Sequence, residues 1–558
     1  MVIRPPSGAP TPTSPARPTS DRRTAPGASG RRRALVAAAG ALAGVLGLEF
    51  AVIAQPGPLP GPPAVLYLVL GWWAVAALGT WLLIRAGSRR ATVWLLLTGA
   101  VAVHVLAIGT GPRMSDDLYR YLWDGRVQAA GIDPYRYPTS SPELAQLRDG
   151  WLWPDDAGCA ARDRGPGCTR INYPQAHTIY PPVAQAYFTA VHFLPGPPRE
   201  NKVQLYAALT SLALTGLLAS VLAARGQPIG YAAAYAWAPA AGLDAGMDAH
   251  VDVLAALFTV GACALLTRRE PAPGRDEPGP DRRGRGCRSG RWGRWDWSGR
   301  GGRPAGPGGL RSRPSTRVAV AAGALLGAAV AVKLYPALLL VAAARRRVLA
   351  VVGTAAAVVA LSYLPHVAAV GPDVVGFLPK YLSVEGYQDG HRFLLLGLLG
   401  FSGTSAKLAA GVVLAGVAVA VWRADPARIS TELGALRLLG AAFLLATPAQ
   451  PWYGIPLVAL AVLARRPEWL AVAAAPYVLY MALFTEHLAF DDRITRPGGY
   501  AVGAVIVIVA AVVRVAVGSG NAARSSSAWA TEDQSGQGRG SGKVEGERHP
   551  VQRGRAGA

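Results

Sequence analysis

Long apolar runs alternate with short polar segments over most of this chain. The longer runs have about 17 or more apolar residues, enough for a helix to cross a hydrocarbon core of about 30 Å. They are apolar on all sides, which is typical of helices in lipid. The pattern predicts an all-α, polytopic transmembrane bundle with segments at 34–54, 63–84, 91–109, 203–224, 229–243, 251–267, 318–332, 336–344, 348–365, 406–422, 436–449, 454–466, 468–485 and 499–517.

Basic residues flank the apolar runs unevenly, and this bias predicts an orientation. Three arginines (31–33) precede the first run, and the second run ends at RAGSRR (85–90). Lys and Arg beside membrane segments usually mark the cytoplasmic side, so both places are expected to be cytoplasmic. Following the chain from there predicts a cell-membrane protein with about 12–14 membrane segments and both termini in the cytoplasm. Its outer loops, at about 111–201 and 366–405, are expected to carry interfacial helices.

The net charge of +23 over 558 residues would suit a nucleic-acid-binding protein, but its distribution argues against one. Arginines concentrate beside the apolar runs and in three Gly/Pro/Arg/Ser-rich segments, where they fit a membrane topology and contact with lipids. These segments lack the apolar surface that would offset the entropy of ordering. We therefore predict disordered cytoplasmic regions at 1–33, 268–317 and 518–558, and membrane regions at 34–267 and 318–517.

Polar residues that orientation does not explain collect on the predicted outer face. The first such stretch is SDDLYRYLWDGR (115–126), directly after a membrane segment. Others are IYPP (179–182), DAHVD (248–252), KLYP (333–336), EGYQDGHR (385–392), QPWYG (450–454) and EHLAFDDR (486–493). Ionisable groups at a membrane boundary are costly and usually functional, so these stretches predict an outward-facing site.

Adjacent carboxylates make Asp116 and Asp117 the candidate catalytic residues. Two neighbouring acids repel each other without structural benefit, and an ionised one can act as a general base on a hydroxyl. Arg120 lies four residues from Asp116 and is a candidate to keep it ionised or to bind substrate. Asp124 and Arg126 are expected to be structural, pairing with neighbours on the same helix.

Cationic candidates for a phosphate lie elsewhere on the same face. Lys333 is in KLYP, where Pro336 interrupts a predicted hairpin, and His391 and Arg392 are in the second outer loop. Such groups bind phosphate by charge-assisted hydrogen bonds and stabilise it as a leaving group. For Lys333, an alternative of equal weight is an ammonium that snorkels to the membrane interface.

Aromatic and mixed polar residues complete the candidate binding set. Tyr180 is in IYPP, and Trp452 and Tyr453 are either a platform for a sugar ring or part of an interfacial aromatic belt. His250 and Asp252 are two residues apart, a poor spacing for a metal pair on a helix, so no metal site is assigned. A divalent cation there stays an unsupported alternative.

The remaining motifs exclude some chemistries and suggest one covalent link. The chain has no Walker loop and no GxGxxG that opens a helix after a strand, so no nucleotide cofactor is expected. Cys159 and Cys168 lie in GCAARDRGPGCT (158–169) in the first outer loop. An oxidising exterior favours a disulfide between them, whereas Cys263 and Cys287 should be free.

Several of these stretches together resemble the bacterial GT-C glycosyltransferases. The residues that carry the likeness are SDDLYRYLWDGRVQAAGIDPYRYP, INYPQAHTIYPPVAQ, HVDVLA, AVKLYPALLL and PAQPWYGIP, within about 100–500. Within this superfamily they are most similar to actinobacterial polyprenol-phosphate-mannose-dependent α-mannosyltransferases, and the Ala/Gly/Arg-rich composition fits such a source. One departure is that three predicted segments precede the acidic loop, whereas many of these enzymes place it after the first.

The resemblance implies an inverting sugar transfer that is metal-independent or only weakly metal-dependent and needs no other cofactor. The donor would be a sugar, mannose by the likeness, on a polyprenyl phosphate, and the acceptor a lipid-linked or glycan component of the cell envelope. An acidic residue soon after an early membrane segment serves as base in such enzymes, and it corresponds here to Asp116, with Asp117 adjacent. A transporter or lipid flippase is the alternative from another class, since multiple segments with interior charges suit it too.

Overall fold

The computed structural model is entirely helical in the residues that it describes, which are 28–56, 61–87, 90–267, 314–426, 428–484 and 492–536. They form two compact units, Met1–Gly503 and Ala504–Ala558. In the second unit the described residues, 504–536, belong to the last helix. In chain order the α-helices are α1 (Ala28–Ile53), α2 (Ala64–Ala86), α3 (Arg90–Ala107), α4 (Asp117–Ala129), α5 (Asp156–Ala160), α6 (Pro182–Phe193), α7 (Glu200–Ala224), α8 (Ala233–Ala236), α9 (Asp252–Thr267), α10 (Thr316–Val330), α11 (Leu340–Ala343), α12 (Val348–Val370), α13 (Leu378–Val384), α14 (Leu394–Leu398), α15 (Gly403–Arg423), α16 (Thr431–Ala446), α17 (Gly454–Ala464), α18 (Leu470–Phe484) and α19 (Asp492–Gly536).

Eight helices in the described residues are long and apolar enough to cross a membrane. They span Ala28–Ile53, Ala64–Ala86, Arg90–Ala107, Glu200–Ala224, Val348–Val384, Gly403–Arg423, Pro467–Phe484 and Ile494–Val517. Three shorter apolar helices span Asp252–Thr267, Thr316–Val330 and Pro451–Ala464. Their length and composition support a multi-pass helical membrane protein, with fewer full-length crossings than the 12–14 that the sequence predicts.

Some predicted segments are broken into short helical turns, which explains part of the difference, and others form the shorter apolar helices. The segment at 229–243 is a 3-10 turn (Ile229–Ala232), then α8, then a π-helix (Ala240–Met247). Pro239 immediately precedes the π-helix, and a proline cannot donate a helical hydrogen bond. The segment at 336–344 is likewise a 3-10 turn (Tyr335–Leu339) followed by α11. The predicted interruption at Pro336 is therefore present.

The predicted boundaries of the polar regions also shift. Helix α1 begins at Ala28 rather than 34, and α19 continues to Gly536 rather than ending at 517. The greater part of the predicted cytoplasmic regions, at 1–27, 268–313 and 537–558, lies outside the described residues. Most of the EHLAFDDR stretch, at 485–491, lies outside them too.

The segment between α3 and α7 carries three of the short helices, α4 to α6, and an aromatic core fixes α4 there. The ring of Tyr121 stacks on that of Phe188 of α6 with centroids 4.4 Å apart. Gly125 of α4 lies directly against the backbone of Phe188, where no larger residue fits without displacement. Trp123 is buried in the same cluster. This packing holds the first turn of α4, and with it Asp116 and Asp117, in a fixed place.

Candidate active site

One large cavity, of about 1310 Å³, brings together side chains from distant parts of the chain. Its wall is built by the beginning of α4, the segment at 154–181, the KLYP turn, α13 and the turn before α17. Seven of the predicted site residues line it: Asp116, Asp117, Arg120, Tyr180, Lys333, Trp452 and Tyr453. A cavity of this size with converging polar groups is the usual form of a small-molecule site.

The aspartate pair lies at the N-terminus of α4, where unpaired backbone N–H groups favour negative charge. Asp116 is the N-cap residue and Asp117 is the first residue of the helix. The Asn172 amide bridges them, since its Nδ2 donates to Oδ1 of Asp116 at 2.8 Å and to Oδ1 of Asp117 at 2.6 Å. The hydroxyl of Tyr180 donates to Oδ2 of Asp117 at 2.8 Å. Asn172 and Tyr180 thus hold two like charges side by side.

Burial and, to a smaller extent, the negative charge of Asp117 raise the pKa of Asp116 from its usual value of 3.8 to about 6. The hydrogen bond from Asn172 and the charge of Arg164 act against this shift. A carboxylate with this pKa is ionised by roughly ten to one at pH 7, and is a stronger base than an ordinary aspartate.

A buried carboxylate fixes the backbone immediately before the pair. Oδ1 of Asp248 accepts a hydrogen bond from the backbone N–H of Arg113 at 2.6 Å, and its Oδ2 accepts one from that of Met114 at 3.1 Å. On the other side, the hydroxyl of Tyr480 donates to the carbonyl of Met114 at 2.5 Å. These contacts join α18 and the end of the π-helix to the segment that carries Asp116.

Lys333 lines the cavity and brings a positive charge to its wall. Its Nζ lies 3.5 Å from Oδ2 of the buried Asp252, and 5.1 Å and 5.0 Å from the ring centroids of Tyr180 and Tyr453. The hydroxyl of Tyr335 donates to the other oxygen of Asp252 at 3.1 Å. The ammonium is thus held by one carboxylate and two aromatic faces, with 14% of the side chain still exposed to the cavity.

His250 and Asp252 lie beneath the cavity wall rather than in it, and both are completely buried. The His250 ring stacks on Trp452 with centroids 3.8 Å apart, and its Nδ1 hydrogen bonds with the Tyr121 hydroxyl at 3.3 Å. The same Nδ1 is 3.8 Å from Oδ2 of Asp117. Both residues therefore support wall residues from behind. Among the described residues, no group of three or more His, Cys, Asp or Glu side chains is arranged to hold a metal ion.

Arg120 lines the cavity and also has internal partners, so its role as a substrate ligand stays a prediction. Its Nε donates to Oδ1 of Asp124 at 2.8 Å, and its Nη2 donates to the carbonyl of Ala176 at 3.2 Å. Asp124 also accepts hydrogen bonds from Thr178 and Gln185. Through this buried network Arg120 stabilises the segment at Ala176 and Thr178, and it also lines the cavity.

The structure does not bring His391 and Arg392 to the cavity wall, so the cavity geometry gives no support to their predicted role in phosphate binding. Arg392 pairs with Glu385 at 2.9 Å, and its Nε donates to the Glu385 carbonyl at 2.7 Å. His391 is exposed in the same loop. The ion pair instead fixes Glu385, which does line the cavity and accepts a hydrogen bond from Gln450 at 2.7 Å.

Sequence analysis did not single out four residues that line or support the cavity wall as individual site residues: Asn172, Asp248, Glu385 and Gln450. Each lies within a polar stretch on the predicted outer face or beside a motif of the resemblance, as Asn172 does in INYP and Gln450 in QPWYG. No spacing rule links any of them to Asp116 or Lys333, since they are 50 or more positions away. Their roles follow only from the tertiary contacts.

Cys159 and Cys168 form a disulfide, with Cα atoms 5.8 Å apart, at the edge of the cavity. Cys263 is free and buried.

No protein-family model, curated protein or solved structure matches the chain.

Proposed function

We propose that this protein transfers a sugar from a polyprenyl-phosphate donor to a cell-envelope acceptor, a lipid-linked saccharide or a glycan, at the outer face of the membrane. The resemblance noted in the sequence suggests mannose as the sugar. The observation that carries the proposal is the shared cavity wall, in which a carboxylate with a raised pKa and a lysine lie within a multi-pass helical protein. A membrane-embedded donor needs such a cavity and needs no nucleotide-binding fold.

The proposed reaction uses Asp116 as general base. Among the described residues, Asp117 accepts two hydrogen bonds from side chains and Asp116 accepts only one, from Asn172. Asp116 is therefore the better placed to receive a proton. It takes the proton of an acceptor hydroxyl while that oxygen forms a bond to the anomeric carbon. The bond from this carbon to the phosphate oxygen breaks, its electron pair stays on the phosphate, and the configuration of the carbon inverts.

Lys333 would stabilise the departing lipid phosphate in this reaction. An ammonium group in the wall of a cavity, partly screened from water by two rings, interacts strongly with developing negative charge. Trp452 lines the cavity, and the His250 ring stacks on it from behind. This rigid aromatic wall is suited to contact the apolar face of a sugar ring.

The test is a transfer assay in proteoliposomes with polyprenyl-phosphate mannose and a membrane extract that supplies acceptors. We expect Asp116→Asn to lower turnover by roughly 10²–10⁴, the usual contribution of a general base. Asp373→Asn, an exposed carboxylate outside the cavity wall, is the matched control and should retain activity. Full activity of Asp116→Asn would exclude Asp116 as the base.

The same proteoliposomes distinguish the transporter or flippase alternative. A transferase forms a new glycosylated product and consumes the donor, whereas a flippase changes only the leaflet in which the donor lies. Movement of polyprenyl phosphate across the bilayer with no glycosylated product, for a range of sugars, would replace the proposed function by transport.

A further inference from the structure

A small loop closed by the Cys159–Cys168 disulfide forms one side of the cavity. Cys168 and three residues inside the loop, Arg162, Asp163 and Arg164, line the wall. Both arginines are exposed. None of the contacts that hold Lys333 comes from this loop, because Lys333 contacts Asp252 and the rings of Tyr180 and Tyr453.

The loop is built as a fixed structure. Asp155 caps α5 at the loop's entry by accepting a hydrogen bond from the backbone N–H of Gly158 at 2.8 Å. After the disulfide, the Thr169 hydroxyl donates to the carbonyl of Leu152 at 2.8 Å. Asp163 has a φ of 53°, an unusual left-handed conformation for a residue that is not glycine. This tight turn lies between the two arginines and presents both to the cavity.

The charges of the loop are available to a ligand. Nη1 of Arg162 donates to the carbonyl of Gly158 at 2.6 Å, which leaves its other N–H groups free to bind. No carboxylate in the described part of the chain lies within ion-pair distance of the Arg164 guanidinium. Its charge nevertheless reaches the candidate base, because it lowers the pKa of Asp116. Asp163 offsets part of the positive charge, so two arginines and one carboxylate face the cavity here.

From this arrangement we infer a second anion site, formed by Arg162 and Arg164, that binds a phosphate group. On the basis of the proposed function, this phosphate belongs to the acceptor, because Lys333 is assigned to the donor. An acceptor that carries negative charge would be repelled by Asp116 and Asp117 unless cations beside them offset the repulsion. The arginines next to Asp116 meet this need, and a guanidinium binds phosphate in a bidentate manner.

The disulfide gives this site its geometry. Binding a phosphate fixes the arginine side chains, which costs conformational entropy. The disulfide joins cysteines nine residues apart and so restricts the backbone of the loop before any ligand binds, which lowers the total entropy cost of binding. The inference therefore predicts that the charge alone is insufficient. Opening the disulfide should weaken phosphate binding although both arginines remain.

The test measures binding of inorganic phosphate by calorimetry to the full chain in maltoside micelles, in a Lys333→Met background that removes the donor-side cation. We expect Arg162→Gln with Arg164→Gln to weaken phosphate binding by roughly ten-fold or more, the scale of lost hydrogen bonds to a charged group. Arg136→Gln, an exposed arginine outside the cavity wall, is the matched control and should leave binding unchanged. Cys159→Ser with Cys168→Ser should weaken binding too.

Equal phosphate affinity with and without the two arginines would overturn the second anion site. That result would leave the proposed function intact, because sugar transfer from the donor is tested separately through Asp116. Mixed micelles identify the source of the phosphate. Competition by phosphatidylglycerol, with phosphatidylcholine as control, would support a lipid headgroup, and its absence would support a phosphate borne by a saccharide.

Discussion

Single residues give the two adjacent carboxylates of the cavity different surroundings. Tyr180 and Asn172 together engage both oxygens of Asp117, which fixes the position of this carboxylate. Asp116 has a pKa near 6 because it is buried beside that charge. The two acids therefore have different environments although they are sequence neighbours, and different environments give paired carboxylates separate roles.

The pH dependence of transfer follows from the direction of these effects. Asp116 acts as a base only when ionised, so the rate should fall as the pH drops through about 6. Asp117→Asn removes the like charge that raises the pKa of Asp116, so the acidic limb of kcat/KM should move to lower pH. Asn172→Ala removes a hydrogen bond that lowers this pKa, so the limb should move to higher pH. Acidic limbs that stay in place in both variants would contradict Asp116 as the titrating group.

Sequence reasoning identified the residues whose chemistry is local and missed those whose role depends on tertiary contacts. Adjacent charges mark Asp116 and Asp117, and the KLYP break marks Lys333, because each violates a local expectation for a membrane segment. Asn172 is uncharged and lies in a polar loop, so nothing in its local sequence is unexpected. Arg392 shows a second limit, because a loop arginine has the same sequence pattern whether it binds a phosphate or pairs with a carboxylate such as Glu385, seven residues earlier.

At the scale of elements, the contact between α4 and α6 positions the candidate base. The two helices meet at Gly125, where an added Cβ would lie 2.5 Å from the carbonyl oxygen of Phe188. Helices can approach this closely only where one of them has no side chain at the crossing. The placement of Asp116 thus depends on a glycine nine residues further along α4.

Gly125→Ala tests this contact. Alanine is a better helix former by about 1 kcal/mol, but overpacking typically costs about 1–3 kcal/mol, so we expect net destabilisation. A lower midpoint of thermal unfolding in micelles and a reduced transfer rate would show it. Gly216→Ala in α7 is the control, because its added Cβ has no atom within 4 Å and should not lower the midpoint. A midpoint that is unchanged in Gly125→Ala would mean that α4 can shift without cost.

The apolar runs differ in how well their sequence predicts the secondary structure that they form. The long apolar runs correspond to α1, α2, α3 and α7, because a run of that length in lipid can only satisfy its backbone as a helix. The shorter run at 229–243 has the same composition but folds as separate turns with a π-helix. Its side chains are buried within the protein, where an irregular backbone finds partners that lipid does not offer. Apolar composition alone does not separate these two environments.

At the scale of the whole molecule, the proposal depends on the side of the membrane that the cavity faces. The arginines beside the apolar runs predict that the aspartate pair is outside. The segment that contains Asp373 lies on the same side as the cavity, because Gly376 packs directly against the Thr178 carbonyl and Phe377 lines the cavity wall. Asp373 is therefore an accessible position that reports on the site without disturbing it.

A single cysteine at each of two exposed positions measures this orientation, in a background with Cys287→Ser. Asp373→Cys should react with a membrane-impermeant maleimide in intact cells. Arg428→Cys, exposed after α15 next to a basic end that is predicted to be cytoplasmic, should react only after permeabilisation. The reverse result would place Asp116 and Lys333 in the cytosol, out of reach of a donor in the outer leaflet. Transfer to an envelope acceptor would then be untenable, whatever the chemistry of the cavity.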